Sequence, residues 1–133
     1  MAVNVARAPD FSDLDLDFLA HPTTGDVVKK TGIDAIKRSV RNLVLTNFYD
    51  RPFRSYIGSS AVKLLFEPAS AITANQLKDA ILQVISNFEP RVTVSDIIVQ
   101  FDYDNNGYNA TIRYIINNTS QPVISTVFLE RIR

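Results

Sequence analysis

The sequence predicts an α+β fold in which two main helices and one short helix pack on a small antiparallel sheet. Three observations support this prediction: an apolar stripe with helical spacing in residues 74–88, a two-residue alternation in residues 97–116, and an Asp-Asn-Asn-Gly turn signal at residues 104–107 within it. Because the strand patterns that follow the helical ones form an antiparallel meander, we expect the helices to pack on one face of a small sheet.

The composition is typical of one globular domain, with 133 residues of which 46% are hydrophobic and 21% are charged. Fourteen basic residues balance fourteen acidic ones, which argues against a protein that binds nucleic acid by neutralising many phosphates. The absence of cysteine excludes disulfides and cysteine-ligated metals, and no apolar run approaches the roughly 20 residues of a membrane span. We therefore expect neither nucleic acid nor a membrane as a partner.

The N-terminal segment differs in charge from the rest of the chain. We predict that residues 1–28 form an extended acidic arm or edge strand and that residues 29–133 form a single α+β domain. Acidic and apolar residues alternate from Asp13 to Phe18, which places the leucines on one side of an extended segment. Two interpretations stay open: a first strand on the domain's own sheet, and an arm that lies on a partner. The next stretch, residues 29–63, has the opposite charge, with eight basic and two acidic residues.

The first main helix is predicted over residues 32–46, with Thr31 as its N-cap. Asp34 occupies the third helical position, where a carboxylate interacts favourably with the positive end of the helix dipole. Asp34 is also expected to pair with Arg38 at i, i+4. The predicted apolar stripe consists of Ile33, Ile36, Val40, Leu43 and Val44.

A turn and a short helix follow. The Arg51-Pro52-Phe53 sequence turns the chain, and a short helix is then expected, capped by Ser59 or Ser60 and stopped by Pro68. This helix is too short to be stable alone, so its apolar face needs a neighbour.

The second main helix carries the strongest signals and is predicted over residues 74–88. Thr73 and Gln76 match a capping box, and Ile72 and Leu77 match a hydrophobic staple. Pro90 ends the element, because a residue that precedes proline is disfavoured in helical geometry. The predicted stripe consists of Leu77, Ala80, Ile81, Val84, Ile85 and Phe88.

The rest of the chain predicts a three-stranded antiparallel meander, with strands in residues 97–103, 108–116 and 123–129 and a second turn at residues 117–122. An open sheet has edge strands whose unpaired backbone groups another chain can bind. The last strand has no proline after Pro122 and is a natural site for strand addition by a partner. The alternative is that the N-terminal segment covers one edge while Arg131 and Arg133 guard the other.

Few residues suggest chemistry. Residues 102–107 match the opening of a calcium loop, but Arg113 stands where the closing glutamate belongs, so a tight turn is the better interpretation. The alternating aspartates of the N-terminal segment are interpreted as a solvated face. His21 is the one histidine of the sequence, and no serine lies in a setting typical of a catalytic nucleophile. Glu67 is interpreted as a helix-end carboxylate rather than a glycosidase acid paired with Asp50 or Glu89. We therefore predict no catalytic residue, cofactor or metal.

The Glu89-Pro90-Arg91 sequence joins the best helix to the sheet, and proline stiffens the joint. In extended geometry Glu89 and Arg91 point to the same side, roughly 6 to 7 Å apart. They either brace each other or jointly offer a donor and an acceptor to a partner. The residues alone favour internal bracing.

Several of these features together resemble the baseplate wedge and sheath-initiator family of contractile phage tails, which is shared with the type VI secretion baseplate and once carried a lysozyme-like label. The resemblance covers residues 31–91, and its most specific part is the Glu-Pro-Arg junction after an amphipathic helix. The matching residues are the Thr-Gly-Ile-Asp-Ala-Ile-Lys sequence at residues 31–37, Arg51-Pro52-Phe53, Gly58, Leu65-Phe66-Glu67, Thr73 and Asn87-Phe88-Glu89-Pro90-Arg91.

The resemblance implies a structural protein, not an enzyme, that docks on the wedge core and initiates sheath assembly. Its implied partners are other baseplate wedge proteins and the tail sheath protein, with no small-molecule substrate. Its implied location is the tail baseplate of a virion that is assembled in the bacterial host cytoplasm. Together with the open last strand, this predicts partner-binding residues at Glu89, Pro90, Arg91, Val123, Ser125, Val127 and Leu129.

Two other functions stay open. The first is a peptidoglycan-cleaving muramidase of the baseplate that uses Glu67 as its acid. The second is a soluble adaptor unrelated to phage tails.

Overall fold

A computed structural model of the chain describes residues 11–117, 119 and 121–131, and it divides into two compact units, the first ending at Arg38 and the second beginning at Ser39. The fold is α+β, as predicted. Its elements are β1 (Ser12–Leu14), β2 (Lys29–Thr31), α1 (Gly32–Leu45), α2 (Ala61–Leu64), α3 (Ala71–Phe88), β3 (Val92–Asp102), β4 (Gly107–Ile116) and β5 (Pro122–Glu130).

The first unit contains a two-stranded antiparallel sheet in which β1 pairs with β2. The predicted extended segment ends at Leu14, four residues earlier than the alternation suggested, because the chain turns there. The Phe18 amide donates to the Asp15 carbonyl at 3.1 Å, and Phe18 itself has a positive φ of 51°. The first ten residues of the predicted arm lie outside the described residues.

Asp15 shows that the aspartates of this segment do not share one solvated face. Its side chain is only 1% exposed, and Lys30 Nζ and Arg38 Nη2 each lie 3.6 Å from one of its carboxylate oxygens. A buried carboxylate needs such compensating charge. Arg38 also contacts Asp17, so it is engaged with the N-terminal segment, where we predicted a pair with Asp34.

Helix α1 ends at Leu45, one residue before its predicted end. Its buried residues match the predicted apolar stripe except that Ala35 takes the place of Ile33. Ala35 is fully buried, whereas Ile33 is 41% exposed. The helix begins at Gly32, which has a φ of +62°, a conformation that glycine adopts without strain.

Helix α2 is a single turn of four residues, shorter than predicted. Ser60 occupies the N-cap position, but its side chain makes no capping hydrogen bond. The buried Ser59 takes this role: its hydroxyl accepts from the Ala61 amide at 3.3 Å and donates to the Val44 carbonyl at 3.0 Å.

Helix α3 begins at Ala71, three residues before the predicted start, so the predicted capping box is wrong. The N-cap is Ser70, whose hydroxyl accepts from the Thr73 amide at 3.2 Å. Thr73 lies in the first turn, where its hydroxyl donates to the Pro68 carbonyl at 2.8 Å. The predicted staple is also wrong, because Ile72 is largely exposed.

The second unit contains the predicted antiparallel meander, in the order β3-β4-β5. Strand β3 begins at Val92, five residues before the predicted start. A bulge between Val94 and Asp96 shifts the register of its pairing with β4, and the first residues of the strand therefore do not continue the alternation on which the prediction was based. The bulge inverts the alternation, so Val92 and Ile97 both face the core although their numbers differ in parity.

The core of the second unit lies on one face of the sheet, where α3 packs on β3. Its main buried residues are Leu77, Ala80, Ile81, Val84 and Ile85 of α3 with Tyr108, Ala110, Ile112, Tyr114 and Ile116 of β4. The predicted stripe and alternation are thereby confirmed. Apolar residues also lie on the opposite, exposed face, at Ile98, Ile115, Ile124 and Phe128.

The turn between β3 and β4 is a tight hairpin connection rather than a calcium loop. The Asp102 carboxylate accepts from the Asn105 side chain at 2.9 Å and from the amides of Asp104 and Asn105 at 3.1 and 3.2 Å. These bonds, led by that of the Asn105 side chain, lower the pKa of Asp102. The described part of the chain contains no group of acidic or histidine residues that could hold a metal ion. None of its helices has both the length and the apolar character to traverse a bilayer.

Candidate functional site

The junction between α3 and β3 carries the most distinctive sequence of the chain. Glu89 is the C-cap of α3, with φ −124° and ψ 81°, and its amide still donates to the Ile85 carbonyl at 2.9 Å. Pro90 follows, so the helix cannot continue and β3 begins at Val92. The sequence therefore places Glu89 and Arg91 on either side of a stiff bend.

Glu89 and Arg91 form a bidentate ion pair across this bend. Arg91 Nε donates to Glu89 Oε1 at 2.5 Å, and Arg91 Nη2 donates to Oε2 at 2.7 Å. The Ser39 hydroxyl of α1 also donates to Oε2, at 2.5 Å. Glu89 is 3% exposed, whereas a quarter of the Arg91 side chain is exposed. Both residues thus brace the junction, and the arginine side remains accessible.

The electrostatics of the junction favour an ionised glutamate. Burial by itself would raise the pKa of Glu89, but the hydrogen bonds of Arg91 and Ser39 and the positive charge of Arg91 together hold it below its usual value. The pKa of Tyr114, by contrast, is raised. Burial first, and the negative charge of Glu89 second, raise the pKa of Tyr114 to about 12, although Ser125 opposes this effect.

Asn117, just after β4, clamps the same junction from the other side. Its amide donates to the Arg91 carbonyl at 3.0 Å, and its side-chain Nδ2 donates to the Pro90 carbonyl at 2.8 Å. Its Oδ1 accepts from the Thr93 hydroxyl at 3.0 Å. Sequence reasoning interpreted Asn117 only as a turn residue and missed Ser39, because no local spacing links either residue to Glu89. Residues 118 and 120 of this predicted turn lie outside the described residues.

The predicted partner-binding residues of β5 face the core. Val123, Val127 and Leu129 are buried and Ser125 is half-buried, because alternate side chains of a strand point to the same face. Their side chains therefore serve packing. The residues that face outward are Ile124, Thr126, Phe128 and Glu130.

The backbone edge of β5 is open in the described part of the chain, where β5 pairs with β4 alone. The pairing is unbroken from Glu130 opposite Gly107 to Pro122 opposite Ile115. Just after β5, the Arg131 amide donates to the Asn106 carbonyl at 3.0 Å and its Nε donates to the Leu65 carbonyl at 3.3 Å. Arg133 lies outside the described residues.

The three carboxylates of the muramidase hypothesis have different local environments. The Glu67 side chain is exposed. The Asp50 carboxylate accepts from the Asn47 amide at 2.8 Å, and Glu89 is engaged by Arg91. In the first unit His21 Nδ1 accepts from the amides of Thr23 and Thr24, which is a turn interaction.

Comparisons with known proteins agree with this architecture. The baseplate wedge protein gp25 of Enterobacteria phage T4 is 28% identical over 109 residues, which cover 81% of this chain and 82% of the phage protein. A chain of the anti-feeding prophage baseplate has a similar fold, with a TM-score of 0.64, 20% identity and coverage of 93% of this chain and 88% of that one. A crystal structure of a putative tail lysozyme from Geobacter sulfurreducens has a TM-score of 0.65 and 16% identity, and it covers 73% of this chain and 90% of that one.

At such low identity the two structural matches establish the fold alone. The family model for baseplate wedge protein gp25 matches residues 30–121, more than half of the chain. This chain therefore belongs to the baseplate wedge protein gp25 family and is a structural component of a tail baseplate.

Proposed function

We propose that this protein docks on the wedge core of a contractile tail baseplate and initiates sheath assembly by accepting a strand from the sheath protein. The single observation that carries this proposal is the open edge of β5, a nine-residue strand that pairs with only one neighbour among the described strands. Its partners are other baseplate wedge proteins and the tail sheath protein. Neither nucleic acid nor a small-molecule substrate has a role, and assembly takes place in the bacterial host cytoplasm.

The two edges of the three-stranded sheet differ in their suitability for strand addition. Strand β3 is interrupted by the bulge between Val94 and Asp96, and bulges are a common means of blocking an edge. Strand β5 pairs with β4 in continuous register over its whole length. An added strand needs a regular row of outward N–H and C=O groups, so we assign the sheath contact to β5.

The Glu89-Pro90-Arg91 junction contributes to the proposed function by fixing the direction in which β3 leaves α3. Glu89 is inside the junction and accepts from Arg91 and Ser39. Arg91 combines this bracing with partial exposure, so we assign the wedge-core contact to Arg91 rather than to Glu89.

Disulfide trapping tests the strand-addition proposal, since the chain has no cysteine of its own. A Thr126→Cys variant is assembled with sheath protein that carries single cysteines along its terminal segments. Because strand side chains alternate, cross-linking yield is expected to alternate with a period of two along one sheath segment. A Ser95→Cys variant, at the bulge of β3, is the matched control. Cross-linking from Ser95→Cys with none from Thr126→Cys would assign the sheath contact to the other edge and overturn the proposal.

We further propose that the protein has no muramidase activity, on the grounds that Glu67 is exposed and the other two carboxylates are engaged in hydrogen bonds. A peptidoglycan turbidity assay with purified protein is expected to show no clearing. Clearing that disappears in Glu67→Gln would establish the enzymatic alternative.

A further inference from the structure

The loop between α1 and α2 exposes an unusual number of aromatic side chains. Phe53 is fully exposed, Tyr49 is 81% exposed and Tyr56 is 63% exposed, with Phe48 partly exposed beside them. Large apolar side chains grouped in this way on a surface mark an interaction site more often than single exposed ones do. We refer to residues 47–57 as the aromatic loop.

The aromatic loop is held closed at its base. The Ser59 amide donates to the Thr46 carbonyl at 2.8 Å, and the Tyr49 amide donates to the Ser55 carbonyl at 3.0 Å. Gly58 packs directly on the backbone where the loop begins, since a Cβ at Gly58 would lie 2.5 Å from the Asn47 carbonyl oxygen. These contacts hold the backbone at the base of the aromatic loop in one conformation.

Two of the exposed aromatic residues have strained backbones. Tyr49 has a φ of 72° and Phe53 a φ of 65°, a region that bulky side chains rarely occupy. Burial of their own side chains does not compensate for this strain, because both rings are exposed. Strain of this kind is concentrated at functional sites, where it directs a side chain to a partner.

A groove beside the aromatic loop supplies the rest of the surface. It has a volume of about 200 Å³ and lies between the loop and α3, where the Tyr56 and Phe88 ring centres are 6.3 Å apart. Ala80 and Val84 line it with apolar atoms, and the amides of Gln83 and Asn87 line it on the same helix. An apolar cleft with a few amide groups suits a large apolar side chain whose adjoining backbone needs hydrogen bonds.

The charge of the aromatic loop specifies the chemistry of the partner. Arg51 and Arg54 are both exposed on the loop. The one acidic residue of the loop, Asp50, is engaged by the Asn47 amide at 2.8 Å. A partner segment with carboxylates beside its apolar side chain would be electrostatically complementary to this surface.

We propose that the aromatic loop and the groove next to it bind a segment of another baseplate protein, which inserts a large apolar side chain into the groove and places carboxylates against Arg51 and Arg54. The proposal rests on the proposed structural role in a baseplate. It adds a third contact surface, which is separate in sequence from β5 and whose groove reaches Asn87 and Phe88, just before the Glu89-Pro90-Arg91 junction.

Photo-cross-linking in assembled particles tests this proposal. Phe53 is replaced by p-benzoylphenylalanine, which keeps an aromatic ring at that position, and the cross-linked peptides are identified by mass spectrometry. We expect cross-links to one segment of another baseplate protein that carries aspartate or glutamate within a few residues of the attachment point. The matched control places the same group at Tyr103, which is 86% exposed on the turn between β3 and β4 and should cross-link at background level.

A charge-reversal variant completes the test. The Arg51→Glu and Arg54→Glu double variant should reduce the yield from position 53 by about tenfold at low salt, with a smaller reduction at high salt. Circular dichroism should show that this variant is folded, because both arginines are exposed. Cross-links from position 53 only to a second copy of this chain, only to the sheath protein, or no stronger than those from position 103 would overturn the proposal. The Thr126→Cys result is independent, so failure of the two proposals can be told apart.

Discussion

At the scale of single residues, Glu89 is the group whose chemistry depends most on its surroundings. A buried carboxylate is costly unless its charge is compensated, and here the compensation comes from Arg91, two residues away, and from Ser39, fifty residues away. The planar guanidinium of arginine can make two parallel hydrogen bonds to a carboxylate, and the ammonium group of a lysine could not reproduce this bidentate geometry.

Removing the arginine should therefore destabilise the fold measurably. We expect Arg91→Ala to lower the free energy of unfolding by about 1.5–3 kcal/mol, because Glu89 stays buried and loses both guanidinium hydrogen bonds and the compensating charge, while the Ser39 hydroxyl and the backbone amide at position 91 still donate to it. Urea denaturation at pH 7 measures this. Arg51→Ala, at an exposed loop position, should change stability by less than about 0.5 kcal/mol and serves as the control. Equal effects of the two substitutions would contradict the buried ion pair.

The lowered pKa of Glu89 predicts a pH dependence. Its ordinary value is 4.5, and the folded state holds it lower, so the unfolded state binds the proton first as the pH falls. The stabilisation is thus complete above pH 4.5 and is lost as the pH drops through the folded-state pKa. Comparing urea midpoints of the native protein and Glu89→Gln should show a gap at pH 7 that narrows below pH 4.5. A gap that widens on acidification would reverse the sign and refute this assignment.

Removing the Tyr114 hydroxyl, unlike removing the Arg91 side chain, is expected to cause little or no loss of stability. Among the described residues the buried Tyr114 hydroxyl has no hydrogen bond of good geometry; burial and the charge of Glu89 oppose its ionisation, and the weaker contact with Ser125 favours it. We expect Tyr114→Phe to leave the stability within about 1 kcal/mol of the native value or to raise it, because a desolvated hydroxyl is removed while the ring is kept. Thermal unfolding of Tyr114→Phe beside Tyr114→Leu separates the hydroxyl from the ring. A large loss in the phenylalanine variant would reveal an important hydroxyl contact.

At the scale of elements, local signals predicted where helices and strands exist better than where they begin. Helix α3 was predicted to start after Thr73, whereas its N-cap in the structure is Ser70. With Ser70 as the N-cap, the Thr73 hydroxyl donates to the Pro68 carbonyl. Strand β3 was predicted too short because its bulge breaks the two-residue alternation, so that the residues before the bulge do not match the pattern after it.

Ser70→Ala tests the assignment of the helix start. Loss of the N-cap acceptor should cost about 1 kcal/mol of stability, measured by urea denaturation. Ser86→Ala, on the exposed side of the same helix, is the control and should be neutral or slightly stabilising, since alanine has the higher helix propensity. If Ser70→Ala is neutral, the helix start has been placed wrongly.

At the scale of the whole molecule, the described strands include a three-stranded antiparallel sheet in which β5 pairs continuously with β4 and with no other described strand. Family membership establishes a structural role in the baseplate, and the edge suggests how that role is performed. Since adjacent residues of an edge strand direct their N–H groups alternately inward and outward, single prolines can distinguish the fold from the assembly.

We expect successive single proline substitutions from Ile124 to Phe128 to fall into two alternating classes. Where the N–H group bonds to β4, proline should destabilise the isolated protein. Where it points outward, proline should leave the circular dichroism spectrum and melting temperature nearly unchanged and abolish sheath assembly. Electron microscopy of assembly reactions reads out the second class. Normal sheath growth with every folded proline variant would exclude strand addition at β5.

The sequence by itself determined the fold class, the core stripe of α3, the alternation of β4 and the stiff Glu89-Pro90-Arg91 bend, because helical period, strand period and proline geometry are local properties. The tertiary structure decided what those residues contact. Only folding brings Ser39 and Asn117 to the bend, buries Asp15 against Lys30 and Arg38, and turns Val123, Val127 and Leu129 into the core while Phe53 is left exposed. These partners lie far apart along the chain, and no local pattern records which distant charge or surface will compensate a buried group.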